Sequence, residues 1–403
     1  MNILIITQMY SQPDDEGDNK PTKTVNYFAK EWVAGGHNVV VMHCPSKFPL
    51  VLYMMPKWLK EKFAGKISTM VPPIESRKEI EREENGVRIY RFPMLKIFPG
   101  QAYTKMRMKK QTKKIEKVLA KIGYRPDVVI GHFANPSLEI VANIAEDYNV
   151  KSSIVFHQDC TEKNIVRYRI KENVDRIGVV GARSIVEAKQ VEKSLNLKQI
   201  PFVCCSGAPN DAVQSAEKYC LKHDFSKGVK YIYVGSMIKR KHLDAVIEGF
   251  LEVSGKDDTF NIVGGGPEAD NYKKIVSDRN AEDKVAFMGR ISRADVLQNM
   301  KEAHIFTLIS DGEAYGMVYI EAMLQGCLVI ASKGGGFDGI IQDGVNGFIC
   351  EPGNKDMLVS IYRHILNMTT EERNLIGQRA IDTAKNYSEK EVAERYLYDV
   401  LNQ

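Results

Sequence analysis

The 403-residue chain has no apolar run near the ~20 residues a membrane-spanning helix needs. Its apolar start, MNILIITQMY, lacks the basic flank and cleavage pattern of a secretory leader, so a soluble or peripheral cytoplasmic protein is expected. Cysteine is sparse and unpatterned. Cys44, Cys160, Cys204, Cys205, Cys220, Cys327 and Cys350 are odd in number and show neither CxxC nor zinc-like spacing, which reads as reduced thiols rather than a disulfide framework. No GxGxxG follows a strand. FNIVGGGPE (260–268) does place Gly264, Gly265 and Gly266 after an apolar run, but the spacing is wrong for a dinucleotide fingerprint, and Pro267 explains part of it as helix-start chemistry. A nicotinamide cofactor is not expected. No Asp-x-Asp follows a strand, so no Mg or Mn ion is expected, and no nucleic-acid motif is present. Disorder is not indicated at 44% apolar and 27% charged residues.

What is present is strand and helix alternating twice over a length that exceeds one hydrophobic core. ILIIT, NVVVMHC, DVVIGHF, SSIVFHQ, RIGVVGA and FVCCS read as strands of the first half; KYIYVGSM, FNIVGGG, KVAFMGR, IFTLIS, CLVIASK and GFICEP read as strands of the second. Short, nearly unbroken apolar runs of this kind belong to parallel sheets covered on both faces. The expected organisation is a doubly wound α/β domain over 1–206, a polar linker over 207–228, a second such domain over 229–384 and a final helix over 385–403.

The net charge of +5 conceals an imbalance. Residues 1–206 hold 33 Lys+Arg against 22 Asp+Glu, and the remainder, by subtraction from 56 and 51, holds 23 against 29. Within the basic half, residues 47–66 interleave Phe48, Tyr53, Trp58 and Phe63 with lysines, and residues 105–121 carry eight basic residues against Glu116 alone. Lysines mixed with large apolar residues are the composition of a segment that sits among anionic headgroups. For 105–121 the alternative is a helix whose Ile115, Val118, Leu119 and Ile122 face the domain core.

Chemistry concentrates at SDGEAYGMVYIE (310–321). IFTLIS reads as a strand, DGEAYG as a loop and MVYIEAMLQG as a helix ending at a glycine. Gly316, Met317 and Val318 then supply the unpaired amides of a helix start, which favour an anion, and Gly316 allows close approach to the backbone. Glu313 in the loop and Glu321 one turn into the helix face the same mouth, because helical side chains lean toward the N-terminus. Amides for a phosphate and carboxylates for hydroxyls together fit a nucleotide sugar.

The Glu313/Glu321 spacing resembles the E-x7-E motif of retaining GT-B glycosyltransferases, in particular glycosyltransferase family 4. The text after it, EAMLQGCLVIASKGGGFDGIIQDGVNGFI, follows the order of that family through Gly334, Gly335, Gly336, Asp343, Gly344, Asn346 and Gly347. The resemblance implies the GT-B fold: two Rossmann-like domains facing a cleft, with the last helix crossing back to the first. YVGSMIKRKHL is similar to the family segment of a Val-Gly-Arg followed five residues later by Lys, which makes Lys241 the diphosphate lysine. Ser236 stands where that Arg is usual, and Arg240 or Lys239 could take its place. By the same likeness Gly289 and Arg290 contact the base, His157 and Asp159 of IVFHQDC line the sugar or acceptor side with His132 as a second candidate, and Gly17 lies in the loop near the donor diphosphate.

The implied reaction moves a sugar, with retention and without a metal or other cofactor, from a UDP-sugar or related donor to a hydroxyl of a glycan or lipid-linked glycan in envelope, capsule or exopolysaccharide synthesis. It would take place in the cytoplasm or at the inner membrane face. Lys241, Glu313 and His157 are the expected catalytic residues. A nucleotide-sugar epimerase of the same fold and a non-catalytic partner of a glycosyltransferase are the alternatives; Ser236 favours the second and the retained Lys241, Glu313 and Glu321 oppose it.

Overall fold

The computed structural model describes residues 1–11, 23–56, 74–98, 100–216, 218–313 and 316–403. Gly17, and the part of the 47–66 segment from Lys57 on with Trp58 and Phe63, lie outside the described residues. The chain forms two units: Met1–Arg183, Glu187–Cys204 and Ala393–Gln403 make the first, Ser184–Val186 and Cys205–Val392 the second.

Unit 1 is built on β1 (Asn2–Thr7), β2 (Asn38–His43), β3 (Ser46–Lys47), β4 (Ile80–Glu84), β5 (Val87–Arg91), β6 (Met94–Leu95), β7 (Val128–His132), β8 (Lys151–Phe156), β9 (Val179–Ala182) and β10 (Phe202–Val203). Eight of these form one sheet in the order β10-β9-β8-β7-β1-β2-β5-β4, and β3 pairs with β6 apart from it. The central strand β1 is parallel to both neighbours, with Ile5 opposite Val41 on one side and Ile130 on the other. Ile3, Leu4, Ile5 and Ile6 are fully buried, as apolar runs covered on both faces require. Among the described residues only the edge strand β4 of this sheet runs antiparallel, joined to β5 through Asn85 and Gly86, both at positive φ. An Asn-Gly pair is the residue choice for a two-residue hairpin turn.

The helix Lys105–Lys121 matches its expected span, with Thr104 capping it by accepting the Arg107 amide. Met108, Thr112, Ile115 and Leu119 are buried, and Val118 and Ile122 pack against the same core. Its apolar stripe therefore faces the domain interior, and its lysines are left on the other faces.

Unit 2 holds β11 (Lys230–Val234), β12 (Thr259–Val263), β13 (Val285–Gly289), β14 (Ile305–Leu308), β15 (Leu328–Ser332) and β16 (Phe348–Cys350) in one parallel sheet, ordered β13-β12-β11-β14-β15-β16. The order reverses direction at β11, so the loops after β11 and β14 leave side by side from the carboxyl ends of neighbouring strands. In open α/β sheets that is where ligands bind. Residues 207–228 are held to this unit: the Cys220 amide donates to Gln378 Oε1 and the His223 amide to Asn374 Oδ1.

The helix Glu389–Asn402 begins in unit 2 and from Ala393 belongs to unit 1, where Trp32 Nε1 donates to the Ala393 carbonyl and Tyr396 packs edge-on to Phe28 and Trp32. All seven cysteines are buried, and none is in a disulfide. Among the described residues no helix is long and apolar enough to cross a membrane.

Candidate active site

The switch point of unit 2 gathers charge. Lys239–Lys241 form a single 3-10 turn after β11, closed by His242 at φ 48°. This turn faces the loop after β14: the Asp311 amide donates to the Arg240 carbonyl at 2.8 Å, and Arg240 Nη1 donates to the Asp311 carbonyl at 3.1 Å. His242 Nε2 lies 2.7 Å from Asp311 Oδ2. Two backbone segments 71 residues apart are thus stitched into one rim.

Inside the rim the Lys241 ammonium donates to Glu313 Oε2, and Arg240 Nη1 lies 3.7 Å from the same oxygen. Ser310 Oγ donates to it at 3.2 Å. The Lys241 side chain is 8% and the Glu313 side chain 15% exposed, so the pair is shielded enough for Coulomb attraction to hold it. The glycine-rich turn after β15 fixes Glu313 from the other side, with the Gly336 amide donating to the Glu313 carbonyl at 2.8 Å.

Gly316 opens the helix Met317–Leu324 at φ 66°. A Cβ there would stand 3.2 Å from Glu313 Cγ and 2.5 Å from the Tyr319 ring, so the Glu313 side chain lies directly against the helix start. Tyr319 anchors that turn by donating to the Leu308 carbonyl at 2.7 Å. The amides of Gly316, Met317 and Val318 carry the positive end of the helix. The structure therefore brings together Lys241, Arg240, Glu313 and Gly316.

Glu321 sits one turn in, as the spacing requires, but on a different partner: Arg293 Nη2 donates to its Oε1 at 2.6 Å. Burial pushes the Glu321 carboxyl above the usual carboxylate range, against the pull of Arg293. Arg293 went unread in the sequence because it is an ordinary first residue of a helix, behind the Ser292 cap.

A third group surrounds Ser236. The Met237 amide donates to the Gly265 carbonyl, and the Gly264 amide to the Gly289 carbonyl. Gly264 is at φ 134°, and a Cβ on it would stand 1.9 Å from the Gly235 carbonyl oxygen. The glycine triplet is thus a backbone crossing, with the Arg290 side chain beside Gly265. The Ser236 carbonyl accepts from Tyr233 Oη at 3.1 Å.

In unit 1, His132 ends β7 fully buried, its Nδ1 3.0 Å from His157 Nε2 and its Nε2 3.4 Å from Tyr396 Oη. Phe133, at φ 67°, stacks on His157 with centroids 3.9 Å apart. Asp159 Oδ1 accepts the His157 amide at 2.9 Å and Oδ2 the Ala134 amide at 2.5 Å. Burial holds His132 at about 3 and His157 well below its ordinary value, so both rings are neutral at pH 7, while burial pushes Asp159 upward. His132, His157 and Asp159 are brought into one cluster. Among the described residues, no group of three or more His, Cys, Asp or Glu is arranged to hold a metal ion.

Residues 222–383 match the family model described as Glycosyl transferases group 1. Over 267 residues the chain is 25% identical to the N-acetyl-alpha-D-glucosaminyl L-malate synthase of Bacillus anthracis, an alignment covering 61% of this chain and 65% of that protein. It is 25% identical over 319 residues to an uncharacterized glycosyltransferase of Methanocaldococcus jannaschii, covering 76% of this chain and 83% of that one. The crystal structure of Anabaena Alr3699/HepE in complex with UDP superposes with a TM-score of 0.66 over 100% of both chains at 15% identity. Two α/β units built on parallel sheets and this likeness agree that the chain has the GT-B fold, and its residues 222–383, within unit 2, match the model of the group 1 glycosyl transferases.

Proposed function

We propose that the protein transfers a sugar from a nucleoside-diphosphate sugar, a UDP-sugar, to a hydroxyl of a glycan or lipid-linked glycan, with the anomeric configuration retained and without a bound metal. The observation that carries this reading is the convergence of Lys241, Arg240 and Glu313 on a helix start at the switch point of unit 2. Departure of a nucleoside diphosphate leaves negative charge, and catalysis stabilises that charge where it forms. Lys241 and the amides of Gly316, Met317 and Val318 are the groups for it. When the diphosphate arrives, it takes up the attraction of Lys241 that Glu313 now holds, and the freed carboxylate turns to the hydroxyls of the sugar. Glu321 accepts from the nucleotide's hydroxyls, and Gly289 and Arg290 bound the base.

In the transfer itself, the bond from the anomeric carbon to the phosphate oxygen breaks as the acceptor oxygen bonds to the same face. The acceptor's proton passes to the leaving phosphate, so no carboxylate nucleophile is required. His157, Asp159 and His132 are assigned to the sugar and acceptor side. The presence of UDP in a structural neighbour supports the choice of nucleotide.

The test is hydrolysis of UDP-, GDP- and ADP-sugars without acceptor and with EDTA, beside Lys241→Ala and Glu321→Ala. Release of one nucleoside diphosphate and free sugar, lost in both variants, is expected. A changed sugar still joined to its nucleotide would identify an epimerase, and no turnover or binding of any donor would identify a non-catalytic partner.

A further inference from the structure

The strands β3 and β6 pair in parallel, Ser46 opposite Met94 and Lys47 opposite Leu95, so the segments that follow them leave from the same end. The first continues into the short helix Leu50–Met54, none of whose residues is buried. The second continues into Ile97 and Phe98, each 57% exposed. Arg107, in the first turn of the helix Lys105–Lys121, reaches back to the Leu95 carbonyl at 2.8 Å and so brings Met106 to the same place. Met54 is 79% and Met106 80% exposed. Leu50, Val51, Met54, Ile97, Phe98 and Met106 are apolar side chains in water, drawn from three separate segments to one end of unit 1. Scattered singly, such residues need no explanation; gathered, they mark an interaction surface.

Their surroundings decide the partner. On the helix Lys105–Lys121, Met108, Thr112, Ile115 and Leu119 form the buried stripe, so the opposite stripe at 3.6 residues per turn carries Met106, Lys109, Lys110, Lys113 and Lys117, all exposed. Lys105 is paired with Glu172 at 2.8 Å and Lys114 with Glu79 at 2.5 Å, while Glu116 of the same helix faces Lys113 and Asp147, so Lys109, Lys110 and Lys117 carry most of the stripe's charge. The lysine stripe starts at the apolar patch and runs away from it for three turns. A protein partner that buried the patch would be held by packing, whereas apolar side chains beside a row of lysines match a bilayer, with acyl chains for the first and phosphates for the second.

We propose that this end of unit 1 is a docking surface for a membrane bearing anionic lipid. The patch enters the interface and the lysine stripe lies along the headgroups. The proposal is independent of the donor site, which lies in unit 2.

The test is sedimentation of the full-length protein with vesicles of phosphatidylcholine alone and with added phosphatidylglycerol, for the native chain, Phe98→Glu with Met106→Glu, and Lys109→Glu with Lys110→Glu and Lys113→Glu. All substituted positions are exposed, and circular dichroism checks that each variant folds. The native chain should bind only the anionic vesicles, each variant should bind at least about tenfold less, and rising salt should release the native chain. Binding equal on both vesicle types, unchanged in the variants, or absent would overturn the proposal. So would a native dimer in sedimentation velocity that Phe98→Glu with Met106→Glu dissociates, since a second copy would then cover the patch. Donor hydrolysis in free solution should be the same for all three proteins, so a failure here leaves the donor site untouched, and a failure there leaves this surface standing.

Discussion

Two polar clusters, one in each unit, are built in opposite ways. The unit 2 cluster is charged and paired: Lys241 and Arg240 on Glu313, Arg293 on Glu321, all at chain segments that leave a sheet. In unit 1, His132 and His157 are neutral and hydrogen-bonded to each other, with an Asp159 carboxylate satisfied by backbone amides. A paired charge can be exchanged for another charge of the same sign, which is what binding a diphosphate asks for. A buried neutral imidazole holds a shape and offers a hydrogen bond without attracting an anion. The first cluster is suited to a ligand that brings charge, the second to one that brings hydroxyls.

The sharpest way to break this contrast is to remove one cation and one imidazole. Lys241→Ala should lower donor turnover by about 10³-fold, the effect of deleting a group that meets charge in the transition state. It should also lower stability by about 3 kcal/mol, because Glu313 loses its shielded partner. His157→Ala should lower turnover by only about tenfold. Steady-state donor hydrolysis and thermal melting measure both, and equal losses in the two variants would remove the distinction between the clusters.

Backbone geometry is the next largest effect. Gly264→Ala should destabilise the protein by about 3 kcal/mol, since its Cβ has no room beside the Gly235 carbonyl. Gly289→Ala, at φ 67° with nothing within 4 Å, should lose only about 1 kcal/mol. Urea titration of the two variants ranks them.

Arg293→Gln should raise the donor KM by about tenfold with little change in kcat. Without Arg293 the Glu321 carboxyl rises further, so the acid limb of the kcat/KM profile should move to higher pH. A profile that does not move would mean that Arg293 only supports the fold.

The smallest expected effect is on stability against pH. The buried His132 ring, facing Arg183, His157 and Tyr396, is held at about 3 in the folded chain against 6.5 when free. Between those values the unfolded chain takes up a proton that the folded chain refuses, so stability is complete above 6.5 and falls as pH drops toward 3. His132→Asn should flatten that fall by at most about 1.4 kcal/mol per pH unit, read from urea midpoints at pH 7 and pH 5.

Much of this was legible in the sequence, and the exceptions have physical causes. Unbroken apolar runs such as NVVVMH and CLVIAS located the parallel strands, because burial on both faces leaves no room for alternation. The β4–β5 hairpin was passed over although Asn85-Gly86 signals it, because β4 is mostly charged and sits at the sheet edge. FVCCS reads as a full strand but pairs only at Phe202 and Val203, where the sheet ends. At the site, Glu321 followed from helix periodicity and Glu313 from its place in the loop between strand and helix. Their separate partners did not, since Lys241 and Arg293 reach them through strand order, which no local pattern encodes. Likewise, Ser236 looked like a lost cation. Arg240, four residues on, stands beside Glu313 because the turn at Lys239–Lys241 carries it there.

The burial of all seven cysteines has a practical consequence. Burial lifts the thiols of Cys44, Cys160 and Cys350 to about 12 and raises that of Cys327, so little thiolate exists at neutral pH to attack an electrophile. A cysteine introduced at an exposed position such as Met106 would then react with a maleimide dye in preference to the native seven. The native chain can serve as its own labelling background, and fluorescence from that single position would report the polarity around it without a cysteine-free variant having to be made.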